Sequence, residues 1–281
     1  MLTIEIVFAL LFGLAFGSFL NVCISRLPRH DSIVRPPSHC PQCKAPIAAY
    51  DNIPLVSFFL LRGRCRNCQK RIAWRYPFVE AAVAALTVGN VLFTGGIDVE
   101  SVAFTLFCAL LLALAVCDAE PMQLPDALTL PLLGLGILYR ASDGIGEMHR
   151  GAAYAWHTAL ILGLRGGLRG AISACATALA LLLLRWLYSL LRRRQGLGLG
   201  DVKLAAAIAA WLGARQMCVV FFLAVVTGAL TALLVLALRG RNATTQEGPL
   251  AVPFGTFLAL AGIYCSFLGL DTLRWYLNFF H

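Results

Sequence analysis

Two aspartates stand beside apolar segments of this chain, where a carboxylate is costly unless it serves a function. Asp201 lies in Gly198-Leu199-Gly200-Asp201-Val202-Lys203, between the basic run Arg192-Arg193-Arg194 and a new apolar segment. Asp118 lies in Cys117-Asp118-Ala119-Glu120-Pro121-Met122-Gln123-Leu124-Pro125-Asp126, also between two apolar segments. Two carboxyl groups that meet can activate water together, one ionised as base and one protonated as acid. Gly198 and Gly200 would strip bulk from around Asp201 and let backbone approach a substrate peptide. We therefore expect Asp118 and Asp201 to converge at one membrane face as a catalytic pair.

Each acid also has a plainer account. Asp201 precedes a helical run and could be its N-cap, and Asp118 could be a surface carboxylate after a helix end. Their presence on the same face, one beside Gly-x-Gly, favours the joint reading. Asp126 follows Leu124-Pro125 and reads as a helix cap, Glu120 as a solvated acid, and Lys203 as a snorkelling side chain.

A second constellation is Cys40-Pro41-Gln42-Cys43 with Cys65-Arg66-Asn67-Cys68, two Cys-x-x-Cys pairs 21 residues apart. That spacing suits a tetrahedral four-thiolate zinc site. Four thiolates leave no open position for water, so the expected role is structural: a loop with little core gains folding energy from the metal. A disulfide pair is the rival, disfavoured in a reducing cytoplasmic loop. Cys23, Cys108, Cys117, Cys175, Cys218 and Cys265 are scattered through apolar segments and read as inert thiols.

The elements that must position these residues are membrane helices. The chain has 281 residues, 59% hydrophobic and 13% charged, against about 25% charged for a soluble domain. Apolar segments run over residues 2–23, 77–94, 101–117, 127–141, 170–191, 202–214, 217–238 and 252–270, of which the fourth and sixth are short for a span. The fold class expected is an all-α polytopic membrane protein of about eight transmembrane helices with a cytoplasmic zinc-binding loop. Residues 1–23 form the first helix, 24–76 the four-cysteine loop domain and 77–281 the transmembrane core. The first segment reads as a retained helix, since no basic residue precedes it and no small-residue cleavage pattern follows.

The net charge of +9 does not indicate nucleic acid. Ten of the basic residues, from Arg26 to Arg75, fall in the loop after the first helix, as the positive-inside rule gives for a cytoplasmic loop. Counting from there places Asp118, Asp201, Arg192 to Arg194, Arg239 and Arg241 on the cytoplasmic side, with 95–100 outside. Residues 151–164, flanked by Arg150, Arg165 and Arg169, fit no span and read as lying along the interface. No Gly-x-Ser-x-Gly elbow, His-Glu-x-x-His pair or Walker loop occurs, so serine, metallo- and ATP-driven chemistry find no motif.

These residues resemble those of the bacterial type IV prepilin peptidases, or prepilin leader peptidase/N-methyltransferases. The resemblance runs over nearly the whole chain. It takes in Gly17-Ser18-Phe19-Leu20-Asn21-Val22, Arg26-Leu27-Pro28, the paired cysteines, Asp51-Asn52-Ile53-Pro54, Arg62-Gly63-Arg64-Cys65, Trp74-Arg75-Tyr76-Pro77 and Glu80. Asp118, Leu124-Pro125-Asp126, Leu128 to Leu132, Gly198-Leu199-Gly200-Asp201 and Pro253-Phe254-Gly255 complete it. Thr256 departs from a common proline, Val202 from isoleucine or phenylalanine, and the stretch around Tyr154 to Arg165 looks inserted.

The resemblance implies an inner-membrane aspartic protease of the Gly-x-Gly-Asp type, with Asp118 and Asp201 catalytic. It would cut the basic leader from type IV prepilins or type II secretion pseudopilins on the cytoplasmic side, in contact with membrane lipid and without nucleic acid. It further implies methylation of the new N-terminal amine with S-adenosylmethionine, for which Asn21, the basic loop and Glu80 are candidates by position only. From the local dipoles, Asp201 at a helix start would be the base and Asp118 at a helix end the proton donor. A transporter using the two aspartates as a proton relay, and an anchored module whose zinc loop recruits a partner, are the competing classes.

Overall fold

The computed structural model describes residues 2–149, 156–193, 196–239 and 252–279. Among them the chain is helical, with two isolated β-bridges and no sheet. The helices are α1 (Leu2–Arg26), α2 (Val56–Leu60), α3 (Arg75–Thr94), α4 (Val99–Ala119), α5 (Asp126–His149), α6 (Trp156–Arg192), α7 (Leu199–Leu212), α8 (Ala214–Arg239) and α9 (Phe254–Phe279). Each of the eight apolar segments of the sequence is a helix. Among the described residues, five helices are long and apolar enough to cross a membrane by length and composition, in α1, α3, α4, α6 and α8, and Phe254–Gly269 is a shorter apolar one. The chain is a multi-pass membrane protein. At 14 residues, α7 rises about 21 Å, short of a hydrocarbon core about 30 Å thick.

One segment departs from expectation. Residues 156–164 are not a separate segment: they open a single 37-residue helix that continues to Arg192. Nothing in Gly163, Gly166 or Gly167 stops it, since a glycine costs a helix only about 1 kcal/mol and only proline breaks it outright. Arg150, Tyr154, Arg194 and Arg241 lie outside the described residues.

The chain divides into two compact units, Met1–Ala113 and Leu114–His281. In the first, α1 packs along α3. Gly17 is what permits the approach: a Cβ there would lie 2.8 Å from the Glu80 Cα. Small residues let membrane helices meet backbone to backbone, where dispersion contacts replace the missing hydrophobic drive. The loop between them holds the four cysteines.

In the second unit α7 is the middle helix, touching α5, α6, α8 and α9. Its run Ala205-Ala206-Ala207-Ile208-Ala209-Ala210 explains the position, because a helix of small side chains can be surrounded closely. Val202 and every residue from Leu204 to Leu212 are buried, while Lys203 is exposed. Most of the exposed side chains of α8, such as Phe222, Leu230 and Leu234, are apolar, as suits a lipid-facing helix, and the exposed Thr227 and Thr231 turn their hydroxyls back to carbonyls of their own helix.

Gly17→Val should separate α1 from α3 and destabilise the protein by about 1–3 kcal/mol, the usual range for overpacking. Thermal unfolding of the detergent-solubilised variant should show a lowered midpoint; an unchanged midpoint would mean the α1–α3 seam can open without loss.

Candidate active site

Asp118 closes α4 and Asp201 sits in the first turn of α7. The fold brings them to one cavity of about 420 Å³, whose other walls include Met122, Leu197, Phe221, Val225, Pro253 and Phe254. Gly255, at the start of α9, lies between the two carboxyls. A Cβ built there would fall 3.0 Å from Asp118 Oδ2 and 3.0 Å from Asp201 Oδ1. Both oxygens are thus one short step from a single point, and twice that step is the most that separates them. Two carboxyls at such a separation resist joint ionisation.

Asp201 is not the N-cap of α7. That position is Gly198, in extended backbone, and Asp201 stands three residues on, where its carboxylate meets the Gly198 backbone N–H. This is the acidic half of a capping box. The two glycines serve different ends. Gly198 leaves room for the Asp201 carboxylate, 3.1 Å from where its Cβ would be, while Gly200 faces Leu124 of the loop after α4.

Asp118 is 7% exposed and has stronger partners. The Thr256 N–H donates to its Oδ2 at 2.7 Å, and the Thr256 Oγ1 lies 3.2 Å from the same oxygen. Oγ1 also lies 3.0 Å from the Ala115 carbonyl, one turn back on α4. The Gly255 N–H points at the carboxylate as well. Asp118 therefore caps the start of α9. Sequence reading passed over Thr256, noting it only as a departure from proline; its hydroxyl beside a glycine opposite two acids was the available signal.

Other side chains fix the frame. Lys203 does not snorkel but donates to both oxygens of Asp126, at 2.7 and 2.8 Å, joining the starts of α5 and α7. Both groups are about half exposed, so the pair is worth at most about 1 kcal/mol, and it aligns more than it stabilises. Further along, Trp211 Nε1 donates to the Leu132 carbonyl at 2.7 Å and its ring stacks on Tyr139. The helices α5 and α7 are thus pinned together at two levels. Arg185 of α6 donates to the Leu197 carbonyl at 2.8 Å and holds the loop that leads into α7.

The first unit carries a candidate metal centre. The Sγ atoms of Cys40, Cys43, Cys65 and Cys68 all lie within 4.8 Å of one another. The two knuckles repeat one backbone design: Cys40 N–H bonds the Ala45 carbonyl and Cys65 N–H the Lys70 carbonyl. In each, the residue after the second cysteine, Lys44 or Gln69, is left-handed, and the bridges His39–Pro46 and Arg64–Arg71 close the two turns alike. Asn67 Nδ2 reaches Cys43 Sγ at 3.6 Å and Lys70 donates to Gln42 at 3.2 Å, tying one knuckle to the other. Arg66 grips Asp51 through two hydrogen bonds of 2.7 and 2.6 Å and holds that carboxyl below its ordinary range.

The cluster can bind a metal. The Ala45 N–H, with Asn67, pulls the Cys43 thiol down to about 6. At Cys68 the Lys70 N–H acts downward, but desolvation and the neighbouring thiols push it up to about 11. A cluster that favours one thiolate and resists the rest is what a cation resolves. Tetrahedral zinc with Zn–S near 2.3 Å needs sulfurs about 3.8 Å apart, and Cys40 and Cys68 stand at 3.8 Å.

Asn21 and Glu80, the candidates by position for methyl transfer, are both engaged in the structure. Asn21 is 2% and Glu80 8% exposed, both within the α1–α3 seam. Asn21 Nδ2 donates to the Tyr76 carbonyl at 3.0 Å, and Glu80 accepts the Leu55 N–H at 2.8 Å. Asn21 thus ties α1 to the first turn of α3, and Glu80 fastens the loop to α3.

Comparison with known proteins follows the same division. Residues 11–93 match the model of the bacterial peptidase A24 N-terminal domain, and residues 105–233 that of the type IV leader peptidase family. A prepilin leader peptidase/N-methyltransferase of Aeromonas hydrophila is 37% identical over 96% of this chain and 93% of its own. One of Burkholderia pseudomallei is 38% identical over 94% and 86%, and one of Pseudomonas aeruginosa 34% over 96% and 92%. No solved structure matches. Two matched models in chain order and near-complete relatives at this identity leave one conclusion: the chain belongs to the type IV leader peptidase family.

Proposed function

We propose that this protein removes the leader peptide of prepilins with Asp118 and Asp201 as its acid–base pair, and methylates the amine so exposed. The observation that supports this most is the cavity in which both carboxyls, with Gly255 between them, are the titratable lining of otherwise apolar walls. A prepilin has a basic leader on the cytoplasmic side and an apolar helix in the bilayer, so its scissile bond lies where lipid meets water. Apolar walls beside the acids suit the residue that follows that bond. Type II secretion pseudopilins share this design and are included as substrates.

Hydrolysis runs on one shared proton. The ionised carboxyl takes a proton from water as the water oxygen adds to the carbonyl carbon. The protonated carboxyl gives its proton to the carbonyl oxygen, leaving a neutral diol. On collapse the first carboxyl returns a proton to the amine nitrogen, the second removes one from the diol, and the C–N bond breaks. Both acids end as they began.

The metal proposed at Cys40, Cys43, Cys65 and Cys68 is zinc, which when bound would tie the two knuckles together structurally. Residues 24–76 are then a small domain folded around it. The methyl donor is S-adenosylmethionine, which supplies an electrophilic methyl group to an amine. The basic loop argues for the cytoplasmic face of the bacterial inner membrane as the working side.

Asp118→Asn and Asp201→Asn should each lower prepilin cleavage by at least about three orders of magnitude, with insertion and detergent-phase unfolding unchanged. Mass analysis of the product after incubation with a prepilin decides it; substantial cleavage by either variant removes that acid from the mechanism. Gly255→Ala places a methyl between the carboxyls and should cost about tenfold to a hundredfold in kcat with the protein still folded; wild-type turnover would show that the acids yield freely. Elemental analysis of the purified protein should find one zinc per chain, and Cys43→Ser with Cys68→Ser should remove it and open residues 24–76 to trypsin. A stoichiometric metal content in the double variant would move the site elsewhere.

A further inference from the structure

The geometry points to Asp118 as the ionised member of the pair and to Thr256 as the residue that positions and holds it so. This rests on Asp118 and Asp201 being the catalytic acids, and it reverses the assignment that their own helices suggest. Asp118 ends α4, where the dipole opposes negative charge, but the start of α9 outweighs this. The Thr256 N–H donates to Oδ2 at 2.7 Å, and the Gly255 N–H is aimed at the same carboxyl. These are first-turn donors with no partner inside their own helix, and a carboxylate is what satisfies them. Asp201 meets one such donor, from Gly198. Each backbone N–H that a carboxylate accepts favours its anion, and of the two acids Asp118 has more of them.

The hydroxyl adds something the backbone cannot. Its single hydrogen stands between two acceptors, Asp118 Oδ2 at 3.2 Å and the Ala115 carbonyl at 3.0 Å. Turned to Asp118, it gives the anion a further donor. Turned to Ala115, it withdraws that donor and still keeps a partner of its own. Thr256 can therefore adjust to the charge on Asp118 without moving its backbone. With Oδ2 held, Oδ1 is the oxygen left for water.

The charged surroundings leave this assignment to the named groups. Asp201 on α7 is the titratable side chain that shares the cavity. Lys203 of α7 is engaged by Asp126 of α5, and Arg185 of α6 by the Leu197 carbonyl. Glu120, at the exit from α4, is exposed. The walls from α8 and α9 are Phe221, Val225 and Phe254.

The test is the pH profile of kcat/KM for prepilin cleavage by the full-length protein in detergent. Its acid limb reports ionisation of the first carboxyl to lose a proton. Removing a donor to an anion raises that group's pKa, so activity on the acid side falls first. Thr256→Val, which keeps the N–H, should move the acid limb up by about one unit, a roughly tenfold loss at pH values below it and a smaller one above. Thr256→Ser should restore the wild-type limb. Thr256→Pro, which removes the N–H as well, should shift it further. If the valine variant fails to insert, Thr256→Cys, a weaker donor of similar size, should shift the limb part of the way. An unmoved limb, a limb moved to lower pH, or a shift that serine fails to reverse overturns the assignment. The underlying reading fails separately: only cleavage by Asp118→Asn or Asp201→Asn sinks the catalytic pair itself.

Discussion

Two carboxyl groups kept within reach of one another and away from bulk water repel, and each loses hydration. That unfavourable pairing is the constraint around which the Leu114–His281 unit is arranged. A shared proton relieves the repulsion, but only if the remaining anion has fixed donors. The start of α9 supplies them at Asp118, and the start of α7 supplies one at Asp201. Gly255 then matters for what it lacks, since a side chain there would occupy the space between the acids. The site is thus two helix starts turned toward one cavity, with a carboxyl in front of each.

Such an arrangement demands that the starts of α7 and α9 be placed to a fraction of an ångström, and the supports are visible. The alanine-rich body of α7 lets four helices close around it. Trp211 and Lys203 fix its register against α5 at two levels, and Arg185 holds the loop from which it emerges. A polar group of this kind inside apolar surroundings carries more energy than the same contact in water. The buried hydrogen bond to Leu132 is of this type, whereas the part-buried one to Leu197 and the half-exposed Lys203–Asp126 pair contribute chiefly direction.

Much of this was legible from residue types. Apolar length announced the helices, because a chain in lipid must satisfy its backbone internally. Asp118, Asp201 and the four cysteines stood out because charge and thiols at such spacing have few other uses. What escaped was long-range. Thr256 is 138 residues from Asp118, and no local pattern tells which carboxyl a threonine will meet. Lys203 was read by its neighbours in sequence, yet its partner Asp126 is 77 residues away. The bounds of α6 were missed for the opposite reason. Arginines and glycines looked like an interruption, but neither residue stops a helix already propagating.

The split of roles between the acids shows where local reasoning stops. Judged each by its own helix, Asp201 benefits from a dipole and Asp118 suffers from one. A dipole acts through space, however, and the nearest positive helix end to Asp118 belongs to α9, not α4. Its donors touch the carboxyl, while the opposing α4 carbonyls face along their own axis and one of them, Ala115, is met by the Thr256 hydroxyl. Direct hydrogen bonds to an ionised group are worth about 1.5–3 kcal/mol, more than the few tenths to 1 kcal/mol of an exposed dipole. On magnitude alone the contacts outweigh the dipole, and that is the ground for proposing Asp118 as the base.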